Sequence, residues 1–320
     1  MKKNLGIKVS EAYVGISTNN EKLIKEDRFY WFDTNFLNMK FIEINREKDS
    51  FFEMLDQTSG KTLEIKGNTL LLRINFSSFE NENYDKRFGT FGNLGIFSTW
   101  ILRTLEDVHS IYTFHACGLI KENKFLIIPG GSGSGKTVFI LSAIRNGWKI
   151  FSTEFVHFSV KESIKFFKGP IRDGIRIDTL KDHFPDMAEK LGLNINTLKK
   201  ETASKLVVDF SSFQVENYTI KNPEIILLFP HVEEKRGSII YEETNNKELL
   251  LRNLFNSASE KIGKSVLLYG KIGLPGLDNI FLAEKRVDNI KKFIKKAKIT
   301  KSALVVLGVK DVEQIIQKIG

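Results

Sequence analysis

Gly130-Gly131-Ser132-Gly133-Ser134-Gly135-Lys136-Thr137 is a complete G-x-x-x-x-G-K-[ST] phosphate loop, and its flanks decide the fold class. The run before it, Lys124-Phe125-Leu126-Ile127-Ile128, has the continuous apolar character of a buried strand. The run after it, Val138-Phe139-Ile140-Leu141-Ser142-Ala143-Ile144-Arg145, is apolar and compatible with a helix. Strand, glycine loop and helix in that order predict an α/β core. Glycines let successive backbone N–H groups turn toward one anion, and the helix that follows aims its positive dipole end at the same point. On this reading the loop from Gly130 to Gly135 wraps a nucleotide's phosphates, with Lys136 on the β- and γ-phosphates and Thr137 on Mg²⁺. A chance Gly/Ser turn would not bring the Lys-Thr pair and both flanks with it. The expected cofactors are ATP and Mg²⁺.

The 320 residues suffice for two domains, or for one domain with appendages. A hydrophobic fraction of 42% with 26 Phe fits a chain that builds a sizeable core. No apolar run approaches the roughly 20 residues of a membrane span. The basic start, Met1 to Ser10, lacks the apolar stretch of a signal peptide. Cys117 is the only cysteine, which rules out an intrachain disulfide and a thiolate metal cluster. A cytoplasmic protein is expected. The net charge of +9 favours anionic partners, and a nucleotide is one.

Much of the positive excess lies between Glu284 and Lys301. There Ala283, Val287, Ile290, Ile294 and Ala297 recur at helical spacing, so the segment reads as an amphipathic helix with a lysine-covered face. A nucleic-acid or membrane-surface role is the lesser reading. A docked helix with a solvated face is the preferred one.

The chain divides by pattern into a β-rich region (1–95), a phosphate-loop core (96–275) and an appendage (276–320) holding the basic helix, a short strand and a last helix. In the first region Leu63 and Ile65, a turn at Lys66-Gly67-Asn68, then Leu70, Leu72, Ile74 and Phe76 predict a hairpin. Phe79 to Gly95 reads as a loop or domain joint. The core carries strand candidates at 111–119, 124–128, 148–160, 205–210 and 224–229, with a charged helix over 177–193. The appendage strand is expected over 303–307 and the last helix over 311–319.

The loop alone leaves the class of phosphate-loop protein open. An ordinary ATPase places a Mg²⁺-organising acid at the end of a second apolar strand. The nearest match, Lys205-Leu206-Val207-Val208-Asp209, is one apolar residue short. More informative are Phe114-His115-Ala116-Cys117-Gly118 before the loop and Arg145-Asn146-Gly147-Trp148-Lys149-Ile150-Phe151-Ser152-Thr153-Glu154 after its helix. This arrangement resembles the HPr kinase/phosphorylase family, whose phosphate loop is of the type found in ATP-dependent phosphoenolpyruvate carboxykinase, and its relatives found beside modified-peptide gene sets.

The resemblance spans about residues 95–280 and is carried mainly by 114–156. It implies an HPr kinase-like core and a kinase that moves the γ-phosphoryl group of ATP to a hydroxyl of a peptide, protein or small molecule. It places His115 at the phosphate or acceptor region. An Asp-Asp pair that serves the family as base and metal-site acid reads Thr153-Glu154 here, so Glu154 is left as catalytic and metal-site acid. Arg172 and Arg176 have the guanidinium geometry for a phosphoryl clamp. Residue by residue, the plainer readings are a strand histidine for His115, a solvated edge acid for Glu154 and surface ion pairs for the arginines. A nucleotide-binding module without transferase activity is the second functional reading, motivated by Thr153, and an ordinary ATPase the third. A homo-oligomer is left open.

Overall fold

The structure, a computed structural model, describes residues 3–25, 40–42, 46–79, 84–194, 197, 205–234 and 236–320. It is mixed α/β, with several sheets and seven α-helices among the described residues. Contacts group the chain into two units. One comprises Met1–Tyr112 with Ser259–Lys285, the other Thr113–Ala258 with Arg286–Gly320.

The first unit holds a six-stranded sheet. Its strands are β1 (Lys3–Val9), β2 (Ala12–Thr18), β3 (Lys40–Ile42), β4 (Ser50–Asp56), β5 (Thr62–Lys66) and β6 (Thr69–Ile74), in the order β3-β1-β2-β4-β6-β5. The expected hairpin is β5–β6, antiparallel from Thr62↔Arg73 to Lys66↔Thr69. Part of the expected loop over 79–95 lies outside the described residues. Helix α1 (Ile96–His109) buries Ile96, Phe97, Trp100, Ile101 and Leu105, and Thr104 on it shares a buried 2.8 Å hydrogen bond with Ser50 of β4. Contacts thus assign α1 to this unit, where the sequence pattern joins it to the phosphate-loop core.

The second unit is built on a nine-stranded mixed sheet. Along the chain it uses β7 (Tyr112–Lys121), β8 (Lys124–Pro129), β9 (Lys149–Ser152), β10 (Phe155–Val160) and β11 (Ile164–Phe167). A separate two-stranded ribbon follows, β12 (Arg172–Arg176) with β13 (Lys205–Asp209). The sheet then takes β14 (Thr219–Lys221), β15 (Glu224–Glu233), β16 (Ile240–Glu243) and β17 (Lys298–Gly308). The order is β14-β11-β10-β7-β8-β15-β17-β16, with β9 also on β7. β15 runs parallel to both of its neighbours, β8 and β17. Parallel neighbours end on the same side, so the C-terminal end of β15 lies beside the loop that follows β8.

Helix α2 (Lys136–Arg145) leaves that loop and ends where Gly147, at φ +80°, takes the left-handed conformation that stops a helix. The expected helix over 177–193 is two, α3 (Ile177–His183) and α4 (Pro185–Lys190). Pro185 has no N–H to continue the first and suits the first position of the second.

The tail is no appendage. β17 pairs with β15 along its whole length and with β16 on its other edge, and Ala303, Val305 and Leu307 are fully buried. Backbone pairing on both edges and a covered face for its alternate residues make it an interior strand of the sheet and not an appendage. The last helix, α7 (Val312–Ile319), packs on α2. The preceding α6 (Ile280–Lys296) buries Leu282, Arg286, Ile290 and Phe293, a stripe turned slightly from the expected Ala283–Ile294 line. Phe293 is central to an aromatic cluster, its ring 5.6 Å from Phe114, 5.2 Å from Phe158 and 6.1 Å from Phe166. Phe293→Ala is expected to cost about 3–4 kcal/mol, the usual price of a buried ring and its cavity. Denaturant unfolding measures this, and a loss below about 1 kcal/mol would contradict the packing.

Candidate functional site

The loop is held open at its mouth and closed at its far end. Gly130 donates its N–H to the His115 carbonyl of β7 at 3.1 Å, which ties the start of the loop to the neighbouring strand. Ser134 N–H reaches back to the Gly131 carbonyl at 3.3 Å. Gly133 and Gly135 sit at φ +86° and +95°, where side-chain-bearing residues are strained. At Gly135 there is a second reason: a Cβ would collide with Val232, near the end of β15. The Gly135 carbonyl then accepts from Val138 and Phe139, at 3.0 and 3.2 Å, so α2 starts with its first N–H groups facing the loop. The Ser134 hydroxyl is buried with no hydrogen-bond partner among the described residues, a cost that an anionic oxygen would relieve.

Four of the expected side chains converge here. Lys136 Nζ donates to the Gly130 carbonyl and, at 3.0 Å, to that of Gly131. It lies 3.3 Å from His115 Nε2, which accepts its proton when the imidazole carries hydrogen on Nδ1. His115 is 5% exposed, and its Nε2 is 3.7 Å from Glu154 Oε1, whose side chain is 19% exposed. Glu154 itself is anchored through its carbonyl, which accepts from Ala116 N–H at 3.0 Å. Thr137 Oγ1 donates to a carboxylate at 2.9 Å, and that carboxylate is Asp173 of β12, a residue the sequence reading overlooked.

The ribbon explains both the surprise and the failure of other candidates. Arg172 stands opposite Asp209 and Asp173 opposite Val208. Side chains alternate along a strand, so Arg172 and Arg176 lie on the face away from Asp173, and Asp209 shares the face of Arg172. Arg172 Nε indeed pairs with Asp209 at 3.0 Å, and Arg176 is exposed. Neither arginine is brought to the loop with Asp173. For Asp209, burial pushes the carboxyl up, but bonds from Ser211 and the Arg172 guanidinium more than offset that and hold it low. The structure therefore puts an acid beside Thr137 from the ribbon, but from its other strand and its other face.

Burial pushes the Asp173 carboxyl up to about 6, and the nearby charge of Glu154 adds to this against bonds from Thr137 and Gly174 and the charge of Lys136. A carboxylate bonded to a hydroxyl, as Asp173 is to Thr137, offers hard oxygen donors of the kind that Mg²⁺ takes alongside phosphate. Among the described residues no larger His/Cys/Asp/Glu group gathers for a metal, and Mg²⁺ bound with a nucleotide needs none. Cys117 lies in the same core, where burial pushes its thiol up to about 12, so it is no nucleophile. His157, buried against the Thr113 hydroxyl at 2.7 Å, is held down to about 4 by its burial and stays neutral in the core.

No model of a known protein family matches the chain, and no curated protein matches it either. No helix among the described residues is long and apolar enough to cross a membrane.

The raised Asp173 carboxyl has a pH signature. Its folded value of about 6 exceeds the ordinary 3.8, so the folded state holds a proton that the unfolded state has lost, and stability falls as pH rises through that window. Asp173→Asn keeps the acceptor for Thr137 and removes the charge. In metal- and nucleotide-free buffer it is expected to match the wild type below about pH 4 and exceed it by about 1–3 kcal/mol above about pH 7, a Tm gain of several degrees. Thermal melts across that range test this, and a difference independent of pH would refute it.

Proposed function

We propose that the second unit binds ATP with Mg²⁺ and transfers the γ-phosphoryl group to a hydroxyl of a peptide, protein or small molecule, as an HPr kinase-like enzyme. The observation that supports this best is the meeting of Lys136, His115 and Glu154 at one mouth of the phosphate loop. A site that only held nucleotide would need the lysine and the loop, but not a part-exposed carboxylate beside them.

Lys136 would exchange the Gly130 and Gly131 carbonyls for phosphate oxygens, and the Ser134 hydroxyl and the loop N–H groups would complete the cradle. Mg²⁺, when bound, neutralises the charge that develops on the phosphates. Thr137 would hold it through a hydroxyl oxygen whose proton already points at Asp173. Glu154 accepts the proton of the attacking hydroxyl. The acceptor's O–P bond forms as the bond from the γ-phosphorus to the bridging oxygen breaks, leaving ADP and a phosphorylated acceptor. His115, between Lys136 and Glu154, orients both. Positioning and charge neutralisation carry most of the rate in such a transfer.

Lys136→Ala is expected to abolish saturable ATP binding by calorimetry, where the wild type binds. Glu154→Gln is expected to lower ATP-dependent phosphorylation of a hydroxyl-bearing acceptor about 10²- to 10⁴-fold, the usual worth of a positioned base, while Asp209→Asn changes it little. A strong loss only in Asp209→Asn would favour an ordinary ATPase. Tight ATP binding with no consumption against peptide, protein and small-alcohol acceptors would favour a silent nucleotide-binding module.

A further inference from the structure

We propose that Asp173 is the acid that works with Thr137 at the metal position of the loop, and that Thr153 is the positioning residue that holds it there. This rests on the nucleotide reading above and assigns roles within it.

The argument begins in the turn between β9 and β10. Ser152 Oγ closes that turn on Phe155, accepting its N–H at 3.1 Å and donating to its carbonyl. The two residues inside the turn face different ways. Glu154 reaches toward His115, whereas Thr153 is 1% exposed and points at the strand that follows residue 170. Thr153 N–H donates to the Pro170 carbonyl at 2.8 Å. Its hydroxyl lies 3.1 Å from the same carbonyl and 2.8 Å from that of Arg172.

Two more contacts fix the same stretch. Gly169 passes so close to the turn that a Cβ would collide with the Phe155 carbonyl and with Ser152. From the other side, Phe210 N–H donates to the Ile171 carbonyl at 3.0 Å. Residues 169–172 are thus pinned from both sides, and the next residue is Asp173. Its Oδ1 accepts from Gly174 N–H at 2.7 Å and its Oδ2 from the Thr137 hydroxyl, so both oxygens are oriented.

The two acids are therefore placed by one turn and given different work. Asp173 is bonded to the hydroxyl that serves the metal, so its remaining lone pairs face the same region as the Thr137 oxygen. Glu154 stands with His115 at the mouth, within reach of an incoming hydroxyl. Thr153 must be a donor to do its part, because the groups it faces are carbonyl oxygens. An aspartate there would have no proton to give and would meet two acceptors, which pushes β12 and Asp173 away from Thr137.

The test is the gain in affinity that Mg²⁺ gives to a non-hydrolysable ATP analogue, measured by calorimetry with Mg²⁺ and with EDTA. Wild type is expected to bind more tightly with Mg²⁺. Asp173→Asn is expected to lose about 10- to 100-fold of that gain while its Mg²⁺-free affinity holds or improves, and Thr153→Val to lose roughly tenfold. Thr153→Ser, which keeps the donor, and Glu154→Gln are expected to keep the gain. A merely structural Thr153 would change both affinities together. Full retention of the gain in Asp173→Asn, or its loss in Glu154→Gln alone, overturns the role of Asp173, and retention in Thr153→Val overturns that of Thr153. Should Thr153→Val not fold, Thr153→Ala takes its place, with loss expected and retention refuting. If wild type binds the analogue with no Mg²⁺ gain, this proposal alone fails. If it binds no analogue at all, the nucleotide reading fails and takes the proposal with it.

Discussion

The second unit depends on one close approach, that of the Gly135 backbone to Val232. A buried strand can pass its chain to a helix within the short loop from Gly130 to Gly135 only if the crossing point carries no side chain, and here the β15 side chain fills that space. The contact does two things at once. It lets α2 start at Lys136, and it brings the far end of β15 against the loop that follows β8. Pro230 fits the same arrangement. β15 pairs with β8 only through Leu227, so the residue without an N–H comes after that ladder has ended.

From that contact the sheet extends outward. β17 follows β15 in parallel register from Glu224↔Lys298 to Glu233↔Gly308, which carries the C-terminal part of the chain into the sheet between β15 and the edge strand β16. This explains why local pattern misplaced the tail. The alternation of Ala303, Val305 and Leu307 predicts a strand, but nothing in it says which partner lies alongside. The hairpin β5–β6 and the strand–loop–helix unit were legible because their partners are neighbours in sequence. The split of the expected helix at Phe184-Pro185 was missed, although the proline that causes it stands in plain view.

The site divides in the same way. Lys136 and Thr137 follow from the motif, and His115 and Glu154 were nominated by the resemblance carried by the segments on either side of it. Asp173 could not be read, because its place depends on the register of a ribbon whose strands lie some thirty residues apart. A one-residue slip of β12 against β13 would have turned Arg172 to the loop side in place of Asp173. Arg172 was a residue that the sequence reading favoured, on the chemistry of its side chain alone. Chemistry nominates candidates, and strand parity chooses among neighbours.

The chosen arrangement is not the most stable one available. Asp173 and Glu154 are close enough to oppose each other's ionisation, and burial worsens the conflict for Asp173. Folding alone would favour an amide at either position. What keeps the carboxylate in place is a set of bonds that do not depend on its charge: Thr153 on the Pro170 and Arg172 carbonyls, Phe210 on Ile171, and the tight passage of Gly169. A rigid backbone can carry an unfavourable side chain when its own hydrogen bonds are complete, which is the usual sign of a position kept for binding and not for stability. The conflict also has a direction. On the proposed reading, a cation seated by Thr137 would relieve it, so the repulsion between the two acids would be returned as affinity for that cation.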